Sequence, residues 1–122
     1  MTRLSFTARG EPLGTARPRV TRNGTFTPKA SRDAQERIGA AFLVMYPRHR
    51  PTTGEIALTV DFHRATGYRR DIDNLAKTVL DGLNGLLYVD DYQVTELRLR
   101  VHLGVPKIEA RTDVTCDYEP KG

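Results

Sequence analysis

Residues 69–91 read RRDIDNLAKTVLDGLNGLLYVDD and hold five of the chain's fifteen acids. Asp71 and Asp73 stand two apart where a loop should enter a helix. In extended backbone that spacing points both side chains the same way. Asp90 and Asp91 close the segment. If LLYVDD runs back along the helix, three or four carboxylates converge. Such a cluster repels itself unless a hard cation such as Mg²⁺ or Mn²⁺ neutralises it. Mg²⁺ takes oxygen ligands, typically one or two carboxylates with water and substrate phosphate. That chemistry suits phosphodiester hydrolysis, where a metal generates hydroxide and stabilises the leaving oxygen. Each acid also has a plainer role. Asp71 or Asp73 can cap the helix, Asp90-Asp91 can form a turn, and Lys77 can pair with Asp73 or Asp81 at i,i+4. Asn74 can bond a carboxylate or cap the helix.

The elements that must position these residues are legible. Arg3–Ala8 alternates weakly, as a first strand does. Gly10–Ser31, rich in Gly, Pro and Arg, reads as a long ordered loop, with Asn23-Gly24 as a type I′ turn between Val20 and Phe26. Thr27-Pro28 looks like an N-cap and first helical residue. The helix that follows carries Ala34, Ile38, Ala41, Phe42 and Met45 on one face, and Pro47 stops it. Ile56, Leu58, Val60 and Phe62 alternate with Ala57, Thr59, Asp61 and His63, which predicts a strand. A second helix covers Asp73–Asn84, with Ile72, Leu75, Ala76, Val79, Leu80 and Leu83 as its apolar stripe and Gly85 as terminator. Leu97, Leu99, Val101 and Leu103 predict another strand. Ile108, Ala110, Thr112, Val114, Cys116 and Tyr118 form the inward face of a last one. Arg98 and Arg100 should pair with Glu109 or Asp113 across that hairpin. The result is a single α+β domain over residues 1–122, a mixed β-sheet with two helices in the order β-α-β-α-β-β.

Composition narrows the function further. One cysteine, Cys116, excludes an internal disulfide, and with only three scattered histidines a structural zinc site is not expected. No apolar run approaches a membrane span, and MTRLSFTARG lacks a signal-peptide core, so a reducing, cytoplasmic compartment is expected. Residues 1–50 carry a net +7 and residues 51–122 a net −3. A basic half joined to an acid-bearing half suits a protein that grips a polyanion and works on it with metal-bound carboxylates. Arg17, Arg19, Arg22 and Lys29 lie in or beside the long loop, and Arg69 and Arg70 precede the acids. These are the candidate phosphate contacts.

RRDIDNLAKTVLDGLNGLLYVDDYQV, Arg69–Val94, resembles the signature of the RusA-type Holliday junction resolvases, a family often encoded by prophages. GEPLGTARPR followed by GTFTPKAS resembles that family's N-terminal segment, with Phe26 for the usual Tyr and Thr15-Ala16 for a common Lys-Gly. The resemblance implies a homodimeric, Mg²⁺-dependent endodeoxyribonuclease that nicks four-way DNA junctions in pairs, in DNA recombination and repair. Asp71, Asp73 and Asp91 match the family's metal-binding catalytic aspartates, Asp90 is a helper ligand, and Lys77 matches its functional lysine. Paired cuts on strands related by two-fold symmetry independently favour a C₂ dimer. Two alternatives share these features: a broader branched-DNA endonuclease of a phage, and a non-catalytic DNA-binding protein whose acids are structural.

Overall fold

The computed structural model describes residues 1–14, 29–66 and 72–119 in full, and residues 19–21 and 24–26 as backbone. Strand β1 (Thr2–Arg9) is followed by the short strands β2 (Arg19–Thr21) and β3 (Gly24–Phe26), then helix α1 (Lys29–Met45), β4 (Ile56–Arg64), helix α2 (Ile72–Leu83), β5 (Val94–Leu103) and β6 (Arg111–Tyr118). The main sheet has the order β1-β6-β4-β5. β4 and β5 are parallel, so their connection must cross over, and α2 is that crossover. β6 is antiparallel to both neighbours, β1 and β4. The predicted mixed sheet with two helices is therefore the fold.

One face of the sheet meets the helices. Ile56, Leu58, Val60 and Phe62 of β4 are buried against Ile38 and Phe42 of α1 and Leu75, Val79 and Leu83 of α2. Burying each large side chain contributes about 1.5–3 kcal/mol. Phe6 of β1 meets Phe42 edge to face at 5.6 Å. The helices pack closely because Gly39 of α1 faces Gly82 of α2; a Cβ on Gly39 would lie 3.0 Å from the Gly82 carbonyl oxygen. Gly85 takes φ +80°, the left-handed geometry expected of a helix terminator. Its N–H donates to the Tyr88 carbonyl at 2.8 Å.

The other face is open and polar. Thr7 Oγ1 donates to Asp113 at 2.8 Å, and Arg111 Nε donates to its second oxygen at 3.1 Å. His63 and His102 stack at 4.4 Å, His63 against Asp113 and His102 against Asp61. The sheet's outer edge at β1 is partly closed. The Tyr46 hydroxyl accepts from the Ser5 N–H and donates to the Ser5 carbonyl, each at 2.9 Å. It stands where a further strand would pair.

Several local expectations are corrected. Thr21 pairs with Gly24, so Gly24 belongs to strand β3 rather than to the turn, while Asn23 lies outside the described residues. Met45 is 56% exposed and Ile108 is 87% exposed, because each falls past the end of its packed face. Leu97 and Leu103 share the inward face of Leu58 and Arg64 but stay partly exposed, since β5 is an edge strand with little above it. Arg98 and Arg100 cannot meet Glu109 or Asp113 across a hairpin. β4 lies between β5 and β6, and Arg98 pairs with Glu96 instead. The Thr27-Pro28 cap lies outside the described residues.

Candidate functional site

α2 lays its acids along one stripe. Asp73, Lys77 and Asp81 are spaced i, i+4, i+8, and Asp73 and Lys77 are exposed. The expected i,i+4 ion pairs do not form: among the described residues Lys77 pairs with neither Asp73 nor Asp81. The ammonium is thus left for another anion. Thr78 folds its hydroxyl back to the Asn74 carbonyl at 3.4 Å.

After Gly85 the chain turns back beneath α2. Tyr88 is fully buried, and its hydroxyl donates to the Leu80 carbonyl at 2.6 Å. Asp90 and Asp91 follow in a tight 3₁₀ turn, Asp91–Gln93. Burial raises the Asp91 carboxyl above its ordinary range. A hydrogen bond with the Asp90 side chain and the charges of Asp90 and Asp81 raise it further. The Tyr88 hydroxyl is pushed far up by burial and then by the same carboxylates, Asp91, Asp81 and Asp90. Asp81 is itself held by Gln35, whose amide donates to it at 3.4 Å.

Among the described residues Asp90 and Asp81 act on the Asp91 carboxyl. The bond from Tyr88 to the Leu80 carbonyl returns the LLYVDD segment along α2 in the expected direction. Asp73 precedes Asp81 by eight residues on the same helix, about 12 Å along the axis at 1.5 Å per residue. Among the described residues no group of three or more His, Cys, Asp or Glu side chains is arranged to hold a metal ion. Asp71, Arg17, Arg22, Arg69 and Arg70 lie outside the described residues, as does the Arg19 side chain. Lys29 is exposed and makes an i,i+4 pair with Asp33 at 3.5 Å.

The basic loop is tethered near the start of α2. Gly10 donates to the Ala110 carbonyl at 3.0 Å, the Glu11 carboxylate accepts from the Ala65 N–H at 2.9 Å, and Arg37 donates to the Glu11 carbonyl at 2.8 Å. A Cβ on Gly14 would lie 3.1 Å from the Asn74 Cβ. The chain thus enters its Arg-rich stretch one residue away from Asp73.

Two functional neighbours escaped the sequence reading. Asp81 was legible only as a salt-bridge partner of Lys77, although its i+8 spacing from Asp73 marks the shared stripe. Gln93 gave no signal, because its importance lies in burial against residues about forty positions away. Cys116 is buried, with its thiol pushed up to about 12 by burial and then by the Asp117 charge, so it is no nucleophile. No helix of the described residues is long and apolar enough to cross a membrane.

A sequence model of one protein family, described as "Endodeoxyribonuclease RusA", matches residues 9–115. The chain is also 29% identical to the uncharacterized protein YqaN of Bacillus subtilis (strain 168), over 87% of this chain and 92% of that one.

Proposed function

The chain belongs to the RusA endodeoxyribonuclease family, and from that premise we propose that it resolves four-way DNA junctions as a Mg²⁺-dependent homodimer in recombination and repair. The observation that carries the reading is the acid turn. Burial first, and then the Asp90 side chain and the charges of Asp90 and Asp81, raise the Asp91 carboxyl above its ordinary range. Crowded carboxylates with oxygen donors alone fit a hard divalent cation, Mg²⁺ or Mn²⁺. Asp71, Asp73 and Asp91 are the proposed ligands, with Asp90 as helper. When bound, the cation activates water and offsets charge on the phosphate.

The chain's own residues do the rest. Lys77, exposed between Asp73 and Asp81 on the helix stripe, holds the scissile phosphate and steadies its developing charge. Arg17, Arg19 and Arg22, in the chain that follows Gly14 where it lies beside Asn74, grip the flanking backbone together with Lys29, Arg69 and Arg70. The Lys29–Asp33 pair is exposed, worth only a few tenths of a kcal/mol, and yields readily to a phosphate. Asp73 lies in the first turn of α2, and Asp91 follows the segment whose Tyr88 bonds back to Leu80 near the end of that helix. Two copies related by a two-fold axis, with their α2 helices antiparallel, would set the start of one helix against the acid turn of the other. Paired cuts on two strands ask for the same symmetry.

The test uses an end-labelled four-way junction and a matched duplex, with Mg²⁺ or with EDTA. Paired symmetric nicks are expected in the junction alone. They should vanish in EDTA and in Asp73→Asn, which should still bind the junction. Equal cutting of flaps and forks would make it a broader branched-DNA nuclease. Tight binding without cleavage under any metal would overturn the catalytic reading. Mixing Asp73→Asn with Asp91→Asn chains tests the dimer. One site per mixed dimer is intact if the ligands meet across the two-fold axis, so single nicks return; none return if each chain holds its own site.

A further inference from the structure

Gln93 sits directly behind the acid turn. It is 4% exposed, although its side chain is polar and it follows two aspartates and a tyrosine. Its amide is fully used. The oxygen accepts from the backbone N–H groups of Val89 and Asp90, each at 3.0 Å. The nitrogen donates to the carbonyls of Thr52 at 2.8 Å and Gly54 at 3.0 Å. Two donors on one side and two acceptors on the other fix which end is oxygen. The Gln93 N–H also donates to the Asp90 carbonyl at 3.1 Å, so Gln93 holds the Asp90 residue by both its N–H and its C=O. The segment 52–54 is itself laced to the turn. Thr52 donates to the Leu87 carbonyl at 3.0 Å, and the Val89 N–H also reaches the Thr52 carbonyl at 3.3 Å.

We propose that Gln93 is a positioning residue for the metal-binding aspartates, a buried amide that holds Asp90 and Asp91 at a fixed distance and angle before any cation arrives. The inference rests on the metal-dependent reading above. Its physical basis is that the Asp90 and Asp91 carboxyls repel each other, and a free turn would relax by swinging them apart. The Gln93 amide ties the Val89 and Asp90 N–H groups to the Thr52 and Gly54 carbonyls, so the backbone of the turn is held and the geometry needed by the cation is set in advance. Gln93 serves this role better than an acid or a hydrophobe. Glutamate could accept from both N–H groups but would press its charge against two carbonyls. Methionine would fill the space and satisfy none of the four groups.

Gln93→Glu and Gln93→Met test this, with folding checked by circular dichroism. Direct Mn²⁺ binding is read by electron paramagnetic resonance, and cleavage is read across a Mg²⁺ titration. Both variants should bind Mn²⁺ about tenfold or more weakly, the usual range for a lost outer support of a metal ligand. The Mg²⁺ concentration for half-maximal cleavage should rise in step. Saturating Mg²⁺ should restore much of the turnover, and junction binding in EDTA should be unchanged. Unchanged Mn²⁺ affinity with turnover lowered equally at every Mg²⁺ level would overturn the proposal, as would loss of the fold in both variants. Failure of the underlying reading shows separately, as absence of Mn²⁺ binding and of Mg²⁺-dependent cleavage in the unmodified protein.

Discussion

Asp91 is the residue at which folding and its proposed role pull in opposite directions. Its carboxyl is raised in the folded chain, first by burial and then by Asp90 and Asp81. A raised carboxyl binds its proton more readily folded than unfolded. It favours folding below the ordinary carboxylate value, and that contribution is lost as pH rises through the raised value. At neutral pH the ionised Asp91 therefore opposes folding. Asp91→Asn should melt at a higher temperature than the unmodified protein in EDTA at pH 7, by a small margin because the carboxyl is partly solvated. Mg²⁺ should raise the melting temperature of the unmodified protein and leave the variant unmoved. Calorimetry in EDTA and in Mg²⁺ reads both effects. A lower melting temperature for Asp91→Asn in EDTA would mean that the acid turn is not strained.

At the scale of elements, the crossing of α1 and α2 decides where Asp81 stands. A Cβ on Gly82 would meet the Gln35 carbonyl oxygen at 2.6 Å and the Ile38 Cβ at 2.9 Å. Gly82→Ala gains roughly 1 kcal/mol of helix propensity. It also forces apart two backbones, an overpacking cost of about 1–3 kcal/mol. The obstacle at 2.6 Å is main chain and cannot swing away, so the clash should prevail. Urea unfolding of Gly82→Ala should show a net loss of up to roughly 2 kcal/mol by the same balance. A more stable variant would mean that the helices part easily. The segment after Gly85 depends on the same crossing, since Leu86 packs over Gly39 and Tyr88 reaches up to Leu80.

For the whole molecule, charge separates two tasks. The net +7 of residues 1–50 and the net −3 of residues 51–122 are joined where Gly14 rests on Asn74. Binding should follow the basic half and cleavage the acidic one. Arg17→Ala with Arg19→Ala should weaken junction binding, and the slope of log affinity against log salt should flatten by about 1.8 if each arginine covers one phosphate. Binding titrations between low and moderate salt measure it. An unchanged slope would remove that loop from the DNA footprint. On the open sheet face Arg3, Arg98 and Arg111 and both histidines are paired with Asp117, Glu96, Asp113 and Asp61, which offsets much of its positive charge.

Period-two and period-3.6 patterns settled the elements from sequence alone. Ile56 to Phe62 announce one strand, and Leu75 to Leu83 one helix face, because a side chain's direction in these elements follows from its position in the chain. The motif from Arg69 to Val94 likewise announced the family, since its residue types and spacing are local. Sheet order was not local. Nothing in β6 says that it will enter between β1 and β4 rather than pair with β5, and that choice alone undid the expected contacts of Arg98 and Arg100. Nor could spacing say how far LLYVDD returns along α2. A Gly39–Gly82 contact and the seat of Tyr88 beside Leu80 position that segment, and neither is local in sequence. Gln93 makes the same point most sharply: its four partners include Thr52 and Gly54, far upstream, and only tertiary packing brings their carbonyls to its amide.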